Sequence, residues 1–153
     1  PQYHFDMVRL GIGLHGISAT HANLQPVSSF KTYISSIRNV PTDQSIGYGR
    51  KSYTTRPSRI AVIPVGYADG LNRHLSHRDG KVFIKGKRVP IIGNICMDTC
   101  MIDVTDTNAT IGDEVEIFGK HILVTELSEQ LGTIPYEILT GISHRVKRVY
   151  YKE

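Results

Sequence analysis

Three short motifs, far apart in the chain, carry the residues whose types and spacing could support catalysis or binding. One tyrosine stands between two glycines in Gly47-Tyr48-Gly49, a second, Tyr67, ends an apolar run, and Met97-Asp98 follows another. Glycine in strand-like sequence usually marks a bulge or a close approach by another group. A phenol held there can act as a general base when a neighbouring cation favours its ionised form. Taken alone, however, a tyrosine in a β-domain is more often structural.

Near the N-terminus, Arg9 precedes Gly11-Ile12-Gly13. Glycines allow backbone N–H groups to approach a phosphate oxygen. They equally allow tight packing of a strand. The remainder of a dinucleotide-binding fingerprint is missing, so the pattern alone leaves both interpretations open.

Asp98 lies in a stretch, 95–104, whose pattern predicts a strand. Alternation would place its carboxylate on the same face as Cys96 and Cys100. A carboxylate in an apolar stripe must be exposed, paired or functional, because an unpaired buried charge is too costly. We expect a charged partner for Asp98.

The cysteines and histidines do not predict a metal site. In an extended segment the Cα atoms of Cys96 and Cys100 lie about 13 Å apart, beyond the reach of a disulfide. We therefore expect reduced thiols, which are typical of the cytoplasm. His74 and His77 are close in sequence, but we expect them on an exposed loop, without the further ligands that zinc requires.

The composition is that of one soluble globular domain. The chain has 153 residues, of which 40% are hydrophobic and 21% charged, enough for a sizeable core. A net charge of +4 favours solubility and mild attraction to anions, and does not by itself indicate nucleic-acid binding. No apolar run approaches the roughly 18 residues that span a bilayer. The chain begins with Pro1 and with nothing like a signal peptide, so we expect a piece of a longer protein.

Many short strands separated by turn signals, with two short helices near the C-terminus, predict a mainly β, barrel-like domain. Strands are expected at 27–40, 59–65, 81–84, 88–92, 95–104, 112–118 and 145–151. Thr125 is expected to cap the first helix and Gly132 to end it. The second helix should begin near Pro135 and end at Gly141.

In order and spacing, these motifs resemble the C-terminal domain of the pyridoxal-phosphate-dependent alanine racemases. The resemblance covers nearly the whole chain: 7–16 looks like the end of the family's cofactor barrel, 26–36 like the strand that opens its β-domain, and 136–146 like its closing motif. It implies that residues 1–24 are a remnant of the N-terminal barrel and that 25–153 form the β-domain.

The resemblance also implies a reaction. In this family, pyridoxal phosphate is a Schiff base on a barrel lysine and acts as an electron sink while two bases exchange the proton on Cα. One base is that lysine. The other is a tyrosine from the partner subunit, which Tyr48 matches. The implied enzyme is a cytoplasmic homodimer that supplies D-alanine for cell-wall peptidoglycan, with alanine as its ligand and neither membrane nor nucleic acid as a partner.

Four further positions match residues that hold the cofactor. Arg9 matches an arginine that faces the pyridine nitrogen and, because it stays protonated, keeps that nitrogen unprotonated. Gly11 and Ile12 match backbone contacts to the phosphate. His144 stands where the family often has a phosphate-binding tyrosine, and an imidazole can still donate a hydrogen bond.

A second set of residues matches those that bind the substrate and line the entrance to the site in this family. Met97 corresponds to a residue whose backbone N–H meets the substrate carboxylate, and Tyr67, with Arg73, to residues that line the entrance. Asp98 belongs to the same entrance. Asn94 replaces a common arginine, which is expected to change the charge of the entrance.

The Schiff-base lysine lies outside this sequence. We therefore expect the isolated chain to bind pyridoxal phosphate poorly and to lack racemase activity. One alternative is a racemase for serine or for several amino acids. An alternative of another class is a stand-alone RNA-binding β-barrel that uses Tyr150, Tyr151 and the basic C-terminus, with a steeply salt-dependent affinity.

Overall fold

The fold is described by a computed structural model that covers residues 5–18 and 24–151. The strands in this part are β1 (Phe30–Tyr33), β2 (Ser36–Val40), β3 (Ser45–Ile46), β4 (Ser52–Tyr53), β5 (Ser58–Ile63), β6 (Lys81–Ile84), β7 (Lys87–Pro90), β8 (Cys100–Asp103) and β9 (Glu114–Phe118). The α-helices are α1 (Val124–Leu131) and α2 (Pro135–Thr140). Short 3-10 turns occupy Ile12–His15, Tyr48–Arg50, Tyr67–Asp69 and Arg73–His77.

The strands form three antiparallel sheets. Their orders are β1-β9-β6-β7, β2-β5-β8 and β3-β4, and a single bridge between Ile91 and Ile102 connects the two larger sheets. A mainly β fold with two short C-terminal helices is thus confirmed, although the described sheets do not close into one barrel. The run 59–65 becomes β5, the central strand of its sheet, where Ile60, Ala61 and Ile63 are buried.

The predicted single strand at 27–40 is wrong, because the chain changes sheets in its middle. The N–H of Ile34 donates to Asp113 O (3.0 Å), beside the first sheet, and the N–H of Ser35 donates to Val62 O (2.9 Å), in the second. The side chain of Ile34 is fully buried between them. One segment thereby ties both sheets to a common core.

The predicted strand at 95–104 is correct only for its second half. A tight turn closes where the N–H of Cys96 donates to Thr99 O (2.9 Å), and β8 begins at Cys100. The predicted strand at 145–151 is also wrong, since the described residues there form a turn and then irregular chain. The first of these corrections concerns a segment that carries two candidate site residues, Met97 and Asp98.

The helices begin and end close to the predicted positions. Gly132, at φ 71°, ends α1 in the left-handed conformation, and Pro135 opens α2. The expected cap at Thr125 is wrong: α1 begins at Val124, and no side chain caps it. None of the helices in the described ranges has the length and apolar composition that crossing a bilayer requires.

The predicted N-terminal remnant, 1–24, is described only in part, because residues 1–4 and 19–23 lie outside the described ranges. Its described portion contains the turn at Ile12–His15 and exposes the large apolar side chains of Met7, Leu10 and Leu14. The assignment of this segment to an upstream barrel stays a prediction.

Candidate active site

Tyr48 lies at the tip of the β3–β4 hairpin, rather than within a strand. Gly47 (φ 73°) precedes it and Gly49 (φ 79°) follows it, both in the left-handed region that favours glycine. The side chain of Tyr48 is 77% exposed. Within the described residues its hydroxyl has no hydrogen-bond partner, so the tip presents a free phenol to the outside.

The hairpin tip is fixed by Asn94. This side chain is buried, and its Nδ2 donates to the carbonyl oxygen of Tyr48 at 2.8 Å. A Cβ on Gly47 would lie 3.4 Å from the backbone nitrogen of Asn94 and 3.1 Å from Cε of Met101. Asn94 therefore supports the hairpin tip, and its effect on the charge of the entrance stays a prediction.

The turn that carries Tyr67 contacts the turn that carries Met97 through backbone atoms. The N–H of Tyr67 donates to Cys96 O and the N–H of Ala68 to Met97 O, both at 3.0 Å. A Cβ on Gly66 would lie 2.3 Å from each of these carbonyl oxygens. The contact therefore requires glycine at position 66, and it joins two turns whose side chains Tyr67 and Met97 are both half-exposed.

Within the described residues, hydrogen bonding leaves the N–H of Met97 available, together with those of Asp98 and Thr99 in the same turn. Cys96 donates its N–H to Thr99, and the carbonyls of Cys96 and Met97 accept from the neighbouring turn. Among the described residues, the N–H of Met97 makes no hydrogen bond. A peptide N–H at an exposed turn is a donor that a carboxylate can accept.

Arg145 connects the two turns to the C-terminal segment. Its Nε donates to Oδ1 of Asp69 and its Nη2 to Oδ1 of Asp98, both at 2.7 Å. Asp69 and then Asp98 raise the pKa of Arg145 above its usual value. The expected charged partner of Asp98 is thus confirmed, but the expectation that Asp98 shares a face with Cys96 and Cys100 is wrong. The turn at 96–99 exposes Asp98, whereas Cys100 is buried on β8.

Two of the candidate cofactor residues, Gly11 and His144, lie near opposite ends of α2. A Cβ on Gly11 would lie 3.0 Å from the hydroxyl of Tyr136, in the first turn of that helix, and the exposed His144 follows its C-terminus. Gly11 and Ile12 open a 3-10 turn, whose first N–H groups have no partner within the turn. Arg9 is exposed.

Among the candidate residues, hydrogen bonds join the Tyr67 turn to the Met97 turn, and Arg145, the residue after His144, bonds to both of these turns. In the described ranges, no hydrogen bond or ion pair joins Arg9, Gly11 or Ile12 to Tyr48, Tyr67 or Met97, and none joins Tyr48 to Tyr67 or Met97. Arg73 is exposed on the turn Arg73–His77, which also carries the exposed His74 and His77. Over residues 5–18 and 24–151, no three His, Cys, Asp or Glu side chains cluster as a metal site requires.

Three residues with clear structural roles at this site were missed from the sequence. Arg145 lay in a predicted strand, Asn94 was assigned to the entrance, and Gly66 was not singled out. Only Gly66 offered a signal, since a glycine directly before a tyrosine and after a buried strand is typical of a close backbone approach.

Comparison with known proteins gives a consistent result. The family model described as "Alanine racemase, C-terminal domain" matches residues 27–150. Alanine racemase 2 of Caldanaerobacter subterraneus subsp. tengcongensis is 48% identical over 157 aligned positions, which cover 96% of this chain and 40% of that protein.

Solved structures agree with the sequence comparison. The alanine racemase of Streptomyces coelicolor A3(2) superposes with a TM-score of 0.90 at 34% identity, covering 98% of this chain and 42% of that one. The alanine racemase of Bartonella henselae with covalently bound pyridoxal phosphate gives 0.89 at 38% identity, covering 95% and 42%. The chain thus spans about 40% of the length of the relatives it matches. On these grounds the chain belongs to the alanine racemase family and represents its C-terminal domain.

Proposed function

We propose that this chain is the C-terminal part of an enzyme that interconverts L- and D-alanine, in which Tyr48 exchanges the Cα proton in the site of a partner subunit. The observation that supports this proposal is the free, 77% exposed phenol on a glycine-bounded hairpin tip. A group that acts on substrate held by another subunit has to point outward from a rigid support. The hydrogen bond from Asn94 to the Tyr48 carbonyl supplies that support.

The cofactor of the proposed enzyme is pyridoxal phosphate, which the Bartonella henselae relative holds covalently. When bound, this group withdraws electrons from the substrate and so acidifies the Cα proton. We assign Arg9 to the pyridine nitrogen, and the N–H groups of Gly11 and Ile12, with His144, to the phosphate. The first N–H groups of a 3-10 turn suit an anion, and the absent side chain of Gly11 leaves the backbone accessible beside Tyr136.

On the substrate side, we assign the unpaired N–H of Met97 to the carboxylate of alanine. Tyr67, Arg73 and Asp98 are proposed to line the entrance. The exposed apolar side chains of residues 7–14 support the assignment of 1–24 to an upstream barrel, which would also provide the covalent attachment of the cofactor. The proposed assembly is a cytoplasmic homodimer, and the two free cysteines favour such a reducing compartment.

The test of this function uses the full-length enzyme with Tyr48→Phe. Because the equilibrium constant between enantiomers is one, kcat/KM for the two directions must stay equal, so the informative measurement is exchange of the Cα hydrogen with deuterated solvent. Loss of one general base lowers racemisation by about 10²–10⁴. Exchange should persist for the enantiomer that the other base serves and disappear for its mirror image.

Tyr53→Phe is the matched control, since Tyr53 is an exposed tyrosine on the following strand of the same hairpin. Its exchange rates should equal those of the parent enzyme. Equal loss of exchange for both enantiomers in Tyr48→Phe, with normal cofactor absorbance, would contradict the assigned role.

The isolated chain separates this proposal from the alternatives. With added pyridoxal phosphate it should form no D-alanine, because the attachment lysine is absent; turnover would contradict the proposal. Serine offered to the full-length enzyme tests the broader-specificity alternative. For RNA binding, the exposed Tyr150 and Tyr151 lie on irregular chain and offer no sheet surface for stacking, and a salt titration against single-stranded RNA tests that alternative directly.

A further inference from the structure

We infer that Arg145 is a positioning residue of this site, which holds the Met97 turn against the Tyr67 turn and keeps the neighbouring carboxylate of Asp98 away from the substrate. The inference rests on the proposed function, because it concerns how well the N–H of Met97 receives a carboxylate.

The first support is the geometry of the guanidinium group. Two different nitrogens of Arg145 reach two different carboxylates, Nε to Asp69 and Nη2 to Asp98, both at 2.7 Å. Because the group is planar and rigid, two such bonds fix its orientation as well as its distance. Moving either turn would break one of them.

The second support is that Asp69 is itself anchored on both sides. Its Oδ2 accepts the N–H of Gly66 at 2.8 Å, and its carbonyl accepts the N–H of Ser143 at 3.1 Å. Its side chain is only 13% exposed. Asp69 is therefore held within the Tyr67 turn and is hydrogen-bonded to the segment that carries Arg145. Its carboxylate fixes one side of the Arg145 guanidinium group, whose other side bonds to Asp98.

The third support is charge. Asp98 directly follows Met97, and its carboxylate is 55% exposed. Without Arg145 this negative group is free to turn towards the donor that we assign to the negatively charged end of alanine, and like charges repel. Arg145 neutralises the carboxylate and holds it towards Asp69, on the side of the C-terminal segment.

The experiment uses the full-length enzyme and measures KM for alanine, kcat and the melting temperature. Arg145→Gln should raise KM roughly tenfold, the scale of losing a hydrogen-bonded charge contact, with a smaller change in kcat. Arg145→Lys should lie in between, because an ammonium group keeps the charge but lacks the rigid fork that holds both carboxylates.

Arg88→Gln is the matched control. Arg88 also bridges two segments through two nitrogens, to Glu126 at 2.7 Å and to the carbonyl of His121 at 2.6 Å, and it is equally exposed. It lies in β7, outside the proposed site. Its replacement should leave KM unchanged, whatever its effect on the melting temperature.

A second variant separates positioning from general stability. In an Arg145→Gln background, Asp98→Asn removes the uncompensated charge and should recover KM severalfold without recovering the melting temperature. An unchanged KM in Arg145→Gln, or a double variant no better than the single one, would overturn the inference. Neither result bears on the role assigned to Tyr48, which is tested separately by the deuterium exchange of Tyr48→Phe.

Discussion

A single methyl group at position 66 is expected to force the two central turns of the site apart. Gly66 has φ −141° and ψ −165°, an extended conformation that any residue adopts, so backbone strain does not explain the glycine. The lack of space explains it. A Cβ would lie 2.3 Å from the carbonyl oxygens of Cys96 and Met97, whereas real Cβ atoms essentially never come closer than 3.0 Å to another heavy atom. In Gly66→Ala, either these backbones must separate or the hydrogen bonds of Tyr67 and Ala68 must distort.

The cost of Gly66→Ala follows from the contacts that are lost. Two backbone hydrogen bonds at about 0.5–1.5 kcal/mol each contribute about 2 kcal/mol. The strain that remains after relaxation of an overpacked site adds about 1–3 kcal/mol. We therefore expect the free energy of unfolding to fall by about 4 kcal/mol, a large fraction of the about 5–15 kcal/mol that stabilises a typical domain.

Urea unfolding of the parent chain, Gly66→Ala and Gly86→Ala measures this difference. Gly86 has a left-handed φ of 77°, but a Cβ there would meet no atom within 4 Å, so its substitution costs only the conformational term of about 1–2 kcal/mol. A loss for Gly66→Ala no larger than that for Gly86→Ala would refute the close-approach argument. A large loss would identify the contact between the turns as a principal determinant of the site.

Two further predictions concern buried polar groups. Asn94→Asp removes the donor to the Tyr48 carbonyl without changing the side-chain shape, so kcat of the full-length enzyme should fall roughly tenfold with little change in KM, whereas the exposed Asn39→Asp should have no effect on steady-state kinetics. Burial alone would raise the pKa of Glu116, but hydrogen bonds from the N–H and ring of His121 and from the N–H of Ile122 hold it below its ordinary 4.5. Because the folded pKa is the lower one, this stabilisation is present above about pH 4.5 and is lost as the pH falls through the folded value. Urea midpoints from pH 7 downwards should therefore fall more steeply for the parent chain than for Glu116→Gln, and parallel curves would contradict this.

The sequence predicted those elements whose signals are local. The hairpin of β6 and β7, the buried β5 and the end of α1 at Gly132 each depend on a few neighbouring residues. The elements that were wrong depend on distant partners. Ile34 and Ser35 continue a strand-like pattern, and only their partners Asp113 and Val62, far along the chain, show that the sheet changes there.

The same distinction explains what was missed in the site. The stretch 95–99 has the apolar composition of a strand, yet its carbonyls bond to the turn after Gly66, some thirty residues earlier. Arg145 begins a basic stretch that was predicted to be a strand, but its side chain bonds to two carboxylates from two other segments. A periodicity argument registers which residues are apolar, and it contains no information on which distant backbone will supply a hydrogen bond.

Contacts between backbones leave only a weak trace in a sequence, because any residue type supplies the same N–H and carbonyl. What remains visible is the residue that must be small. Gly47 has a conformation that other residues rarely adopt, so a local turn is sufficient to explain it, whereas Gly66 has an ordinary conformation and no such explanation. A glycine with an ordinary conformation, such as Gly66, therefore indicates that another group lies close to its backbone, here the carbonyls at positions 96 and 97. It follows that the backbone contact fixes the positions of Tyr67 and Met97 relative to each other, and that a substitution in either turn should displace the other turn.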